Sequence, residues 1–140
     1  MDNNEIAETL HGLSEFMKIK ESIEGLHAGN ELDKRFATEI LGMKYSPLVQ
    51  KVVVSGKKSI ETHYSLANGQ PAFLPKISRD NNLAVMLLQD MNRNFDFEYR
   101  DGVFKVPFED KALFTGQTLG EALIKTILFE NEIKKSGVQL

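Results

Sequence analysis

The dipeptide Asp101-Gly102 constrains this chain more than any other feature. A two-residue hairpin turn needs positive φ at both central positions, and Asp-Gly is one of the few pairs that accept it. On its N-terminal side Phe95, Phe97 and Tyr99 alternate with Asp96, Glu98 and Arg100. Pairing outward from the turn sets Tyr99 opposite Phe104, Phe97 opposite Val106 and Phe95 opposite Phe108. All six share one face, while Glu98 falls opposite Lys105 on the other, an attractive cross-strand pair. A slip of one residue would turn every ring to the wrong side, so turn and alternation together specify one register. Pro107 has no backbone donor, so pairing stops there or the strand lies at an edge. The aromatic face requires a cover of helices.

Helical periodicity fills much of the remaining chain. Ile6, Leu10, Leu13 and Met17 share one face of a helix within the first thirty residues. Phe16, Ile19, Ile23 and Leu26 form a second, rotated face, so the helix bends between two partners or breaks near Lys18–Lys20. Gly29-Asn30 is its stop. Leu32, Phe36 and Ile40 define a shorter helix over 31–41, with Gly42 after it. Tyr45-Ser46-Pro47 reads as a turn, and 50–66 as two strands joined by Ser55-Gly56-Lys57-Lys58. Asn68-Gly69, Pro71 and Pro75 make 67–77 irregular. A helix opens at Ser78 with Leu83, Val85 or Met86, Leu87 and Met91 inward. Thr118-Leu119-Gly120-Glu121 is a capping box that opens the last helix, and Gly137 ends it. The expected fold is α+β, of order α-α-β-β-α-β-β-α, a mostly antiparallel sheet of two hairpins backed by helices. Residues 1–29 form a helical arm and 30–140 a single domain.

Composition excludes several function classes. The 140 residues include no cysteine, which removes disulfides, thiolate metal sites and cysteine nucleophiles. A net charge of −3 gives no global attraction to duplex DNA or an anionic membrane, although a local basic patch stays open. No run approaches the ~18 apolar residues of a membrane span. The N-terminus is acidic and polar, without a secretory signal's basic start and apolar run, so the expected compartment is the cytoplasm.

Three constellations could carry function. His63, beside Glu61 and Tyr64, could act as a general base; as a plain strand residue it would need no role. No spacing matches a metal-binding motif, no cofactor is implied, and the chain reads as non-enzymatic. The second constellation suits an anion. Lys57 and Lys58 lie in a donor-rich turn, although position 51 is lysine where a nucleotide-triphosphatase loop requires glycine. Gly116, Gln117 and Thr118 precede a helix N-terminus, whose free N–H groups and dipole favour anions. Arg79, Arg93 and Arg100 offer planar forks for phosphate, and Tyr64 or Tyr99 a face for a base. These residues equally suit plain connectors and surface contacts. The third constellation is the N-terminal helix, whose two apolar faces exceed the need of a single core contact. The extra face would serve self-association or a partner groove.

The C-terminal two thirds resembles the small phage proteins of the phage ABA-sandwich group. The likeness lies in Leu32–Gly42, in Pro75-Lys76-Ile77-Ser78-Arg79-Asp80, in the hairpin around Asp101-Gly102, and in Gly116-Gln117-Thr118-Leu119-Gly120-Glu121-Ala122-Leu123. Together these cover about residues 31–130, leaving the N-terminal helix additional. The resemblance implies a phage-encoded accessory protein that counters host defences. It would sequester an anionic, nucleotide-like signal such as a cyclic nucleotide, and would be a homo-oligomer. The alternative is an inhibitor or assembly factor that grips a host or phage protein with the acidic helix bearing Glu5, Glu8, Glu15, Glu21 and Glu24.

Overall fold

The structure is a computed structural model and describes residues 3–56, 58–92 and 95–137. Helices α1 (Asn3–Glu24) and α2 (Asn30–Glu39) lead into strands β1 (Lys44–Ser55), β2 (Lys58–Ser65) and β3 (Pro71–Ala72). A 3-10 turn (Ile77–Arg79) and α3 (Asn81–Met91) follow, then β4 (Glu98–Arg100), β5 (Val103–Phe108), β6 (Ala112–Gly116) and α4 (Leu119–Ser136). The expected α+β order of helices and hairpins is present, and each hairpin gains a third short strand. The hairpins lie in separate antiparallel sheets, β1-β2-β3 and β4-β5-β6.

Local chemistry explains most boundaries. Asp101 (φ 56°) and Gly102 (φ 78°) take the positive angles of the expected turn. Glu98 pairs with Lys105 and Tyr99 with Phe104, the expected register. The ladder ends at Glu98, however, so Phe97 and Phe95 do not pair with Val106 and Phe108. Those β5 residues instead face Phe114 and Ala112 of β6. The strand β6 is reached through a tight turn in which Glu109 adopts φ 50° and Lys111 N–H donates to Phe108 O at 3.1 Å. Asp80 caps α3, its carboxylate accepting from the backbone N–H of Asn82 and Leu83. Tyr45-Ser46-Pro47, expected as a turn, lies inside β1 as a bulge: Tyr45 faces Tyr64, yet Gln50 already faces Thr62. Pro47 is tolerated there because a bulge leaves residues unpaired.

The core is organised around α4. Every residue from Leu119 to Phe129 is buried, so the helix is enclosed on all sides. Val106 and Phe114 cover it from the β4-β5-β6 sheet, Phe16 and Ile23 from α1, Leu32 and Phe36 from α2, and Ala84 and Leu87 from α3. The Phe129 ring meets Phe16 edge-on at 5.1 Å, Phe108 at 5.2 Å and Phe114 at 5.0 Å. Each such pair adds about 0.5–1.5 kcal/mol beyond area burial. Helix α1 runs unbroken through Lys18–Lys20. Its second half belongs to the core, and its first half carries Ile6, Leu10 and Leu13 into solvent.

At Gly120 the backbone of α4 lies close against that of the 3-10 turn. A Cβ built there would overlap the Ile77 carbonyl. Gly→Ala in a helix ordinarily stabilises by up to ~1 kcal/mol. Here the sign reverses: Gly120→Ala should cost about 1–3 kcal/mol, the range for overpacking. Urea denaturation measures it, with Gly25→Ala, where a Cβ makes only ordinary contact, as the control near zero.

Candidate binding surfaces

Several of the anion-binding candidates are engaged inside the protein. The Asp33 side chain is fully buried at the start of α2. Its Oδ1 accepts from Ser78 N–H at 2.7 Å, and its Oδ2 accepts from Arg79 Nη2 at 3.1 Å and Nε at 3.3 Å. Arg79 Nη2 also donates to Asn30 Oδ1 at 2.9 Å, so the guanidinium fork is filled by the chain's own α2. The Thr118 hydroxyl donates to Ser78 O at 2.6 Å and accepts from Glu121 N–H at 2.9 Å. Leu119 N–H donates to Asn81 Oδ1, and Gln117 N–H to Glu121 Oε2, both at 2.9 Å. The capping box therefore forms, with the glutamate reaching back to Gln117. The helix start that could cradle an anion already holds a carboxylate and an amide oxygen.

The remaining candidates lie on separate elements. Lys58 ends the β1-β2 turn opposite Ser55, and Tyr64 stands near the other end of that ladder, its ring 5.5 Å from Tyr45. Tyr99 and Arg100 are exposed on β4, with the Tyr99 ring 4.7 Å from Phe104 and Arg100 near Glu98 at 3.8 Å. Lys57 and Arg93 lie outside the described residues. His63 is exposed, with Nδ1 3.0 Å from Ser46 O in the β1 bulge. Among the described residues no group of three or more histidines and carboxylates is placed to hold a metal ion, and no helix is long and apolar enough to cross a membrane.

A cleft of about 370 Å³ does bring Gly116 and Gln117 together with His27, Glu121 and Lys125. Lys125 is a residue that sequence reasoning missed. Its ammonium is buried and donates to Glu121 Oε1 at 3.2 Å. The only local signal is the i,i+4 spacing of Glu121 and Lys125 on one helix. Two further clefts of about 510 Å³ each meet at Phe108, Glu109 and Glu130.

Two surfaces are apolar and uncovered. On α1, Ile6, Leu10, Leu13 and Met17 form one exposed line, with Leu10 61% exposed. Phe16 and Ile23 occupy the rotated face and are buried. Two faces thus exist on one unbroken helix, because they answer different surroundings. The second surface is the β1-β2 hairpin. Its root is held by buried Met43 and by the Lys34 ammonium 5.1 Å from the Tyr45 ring. Beyond the root, Leu48 is 75% and Val53 70% exposed, and Val49 and Ile60 are exposed as well. Val52 faces Ile60 and Val53 faces Ser59, so the exposed Val53 and Ile60 lie on opposite faces, and cover on the Ile60 face begins only at buried Thr62.

No family model matches the chain, and no curated protein or solved structure does.

The Asp33–Arg79 contact predicts stability, not ligand affinity, as what Arg79 supplies. Arg79→Ala should cost about 1.5–3 kcal/mol, the range for hydrogen bonds to charged groups. A urea midpoint shift measures it; a change within about 0.5 kcal/mol, as for an ordinary surface site, would contradict the assignment.

Proposed function

We propose that this chain is a non-enzymatic binding protein that captures another protein along the apolar line of α1. The observation that carries this is the exposed row Ile6, Leu10, Leu13 and Met17 on a helix whose rotated face already fills the core. Scattered surface leucines need no explanation, whereas a contiguous row marks an interaction surface. Its spacing is that of a helix laid in an apolar groove, with anchors at i, i+4, i+7 and i+11. Glu21 and Glu24 continue the same line four and seven residues beyond Met17. The partner surface is therefore an apolar groove with a basic end.

An inhibitor or assembly factor is the role that suits such a helix. The resemblance to the phage group supports a counter-defence setting in an infected bacterium, with a host or phage protein as the target. Sequestration of a nucleotide draws less support, since Arg79 is engaged by Asp33 and the start of α4 by Glu121 and Asn81.

Leu10→Lys/Leu13→Lys tests the proposal. Both side chains are exposed and lysine is a good helix former, so stability should stay within about 0.5 kcal/mol of the parent. Affinity capture from the native host's lysate should retain a specific protein on the parent chain and lose it at least tenfold on the variant. Equal retention on both would overturn the proposal. A melting temperature that climbs with the concentration of a cyclic nucleotide would favour the sequestration reading instead.

A further inference from the structure

The two uncovered surfaces are opposite in charge. Helix α1 carries Glu5, Glu8, Glu15, Glu21 and Glu24 against Lys18 and Lys20. The β1-β2 hairpin carries Lys44, Lys51 and Lys58 against Glu61. Within one chain these surfaces are not packed together: α1 adjoins α4 and β6, and the hairpin's extensive contacts are among β1, β2 and β3. A hairpin whose outer part is uncovered on both faces is marginal in water, and packing against a helix is what ordinarily stabilises it.

We propose that the apolar line of α1 in one copy seats on the β1-β2 hairpin of a second copy, and that the contact is made twice in a two-fold dimer. This rests on the reading of α1 as a binding surface and gives that surface a second copy of the chain as its resting partner, which a foreign protein would have to displace. Charge selects the pairing. Helix against helix would set acid beside acid, and hairpin against hairpin would set lysine beside lysine. Helix against hairpin sets Glu21 and Glu24 against a hairpin of net positive charge, with Lys58 on the Ile60 face and Lys51 on the Val53 face opposite Glu61. A two-fold axis gives each chain both halves of the contact and closes the assembly.

The chain exposes 9148 Å², against about 7,300 Å² for a compact monomer of 15.8 kDa. It thus leaves more surface in water than the ~800 Å² that each partner contributes to a standard interface.

Charge reversal tests this with the full chain, by light scattering coupled to size exclusion across the micromolar range. The parent should run as a dimer. Glu21→Lys/Glu24→Lys makes both surfaces basic, and Lys51→Glu/Lys58→Glu makes both acidic. Each variant alone should dimerise at least tenfold more weakly than the parent. An equimolar mixture should form a one-to-one heterodimer, because both contacts then join opposite charges. All four positions are exposed, so far-ultraviolet circular dichroism should match the parent.

Three results would overturn the inference. A parent that is monomeric throughout the range removes it, and leaves α1 open to a foreign protein as proposed above. A lysine-reversed chain that dimerises like the parent excludes the hairpin as the seat. A dimer that survives both the acid reversal and Leu10→Lys/Leu13→Lys removes α1 from the contact and overturns the inference, while the capture of a foreign protein by α1 is decided separately by the lysate experiment above.

Discussion

Enclosure of α4 is the constraint on which the other elements depend. A helix buried from Leu119 to Phe129 has no water at its first turn, so its leading N–H groups need partners from the chain. Asn81 accepts from Leu119 N–H and Thr118 from Glu121 N–H, while the Glu121 carboxylate satisfies Gln117 N–H just before the helix. Thr118 also ties that turn to Ser78, and Ser78 N–H is held by Asp33 at the start of α2. Three helix starts therefore meet at one polar clasp. Gly120 sits inside it, and lack of a side chain lets the α4 backbone approach the Ile77 carbonyl. Once this corner is fixed, Phe129 lies where α1, β5 and β6 can each place a ring against it.

What was legible in the sequence was local. The Asp101-Gly102 turn, the Glu98–Lys105 pair, the capping box at Thr118 and the stop at Gly137 each depend on residues within a few positions of one another. The third strand of each sheet was not legible, for different reasons. The turn into β6 uses Glu109 at positive φ, where no glycine announces it. The strand β3 is only Pro71–Ala72, and it exists because β2 offers a free edge. Proline in Tyr45-Ser46-Pro47 marks a departure from regular backbone but does not distinguish a turn from a bulge. Arg79 shows the same limit at the level of a site. As a sequence it is an arginine near a helix start; its partner Asp33 is 46 residues away and no periodicity connects them.

Polar chemistry in this protein divides into buried and exposed groups with different work. Asp33, Ser78, Glu121 and Lys125 are buried and hydrogen-bonded to one another's elements. They fix the relative placement of helices, since a polar group buried without its partner costs more than the bond itself returns. The exposed charges of α1 and of the β1-β2 hairpin do no such work. They flank apolar side chains, where charge sets orientation and choice of neighbour more than strength. Lys51 beside Val53 has a further effect: a charged side chain on a long edge strand discourages indiscriminate strand addition.

The position of α4 in the chain bears on how the protein comes into being. Every surface that α4 fills — on α1, α2, α3 and the β4-β5-β6 sheet — is synthesised before it. Until residues 119–129 emerge, Phe16, Leu32, Phe36 and Phe114 have no common centre to close around. The nascent chain must therefore carry these apolar faces unsatisfied through most of its elongation, a period in which such surfaces attract chaperones or one another. Closure then comes late, when residues 119–129 supply the centre around which the earlier faces assemble.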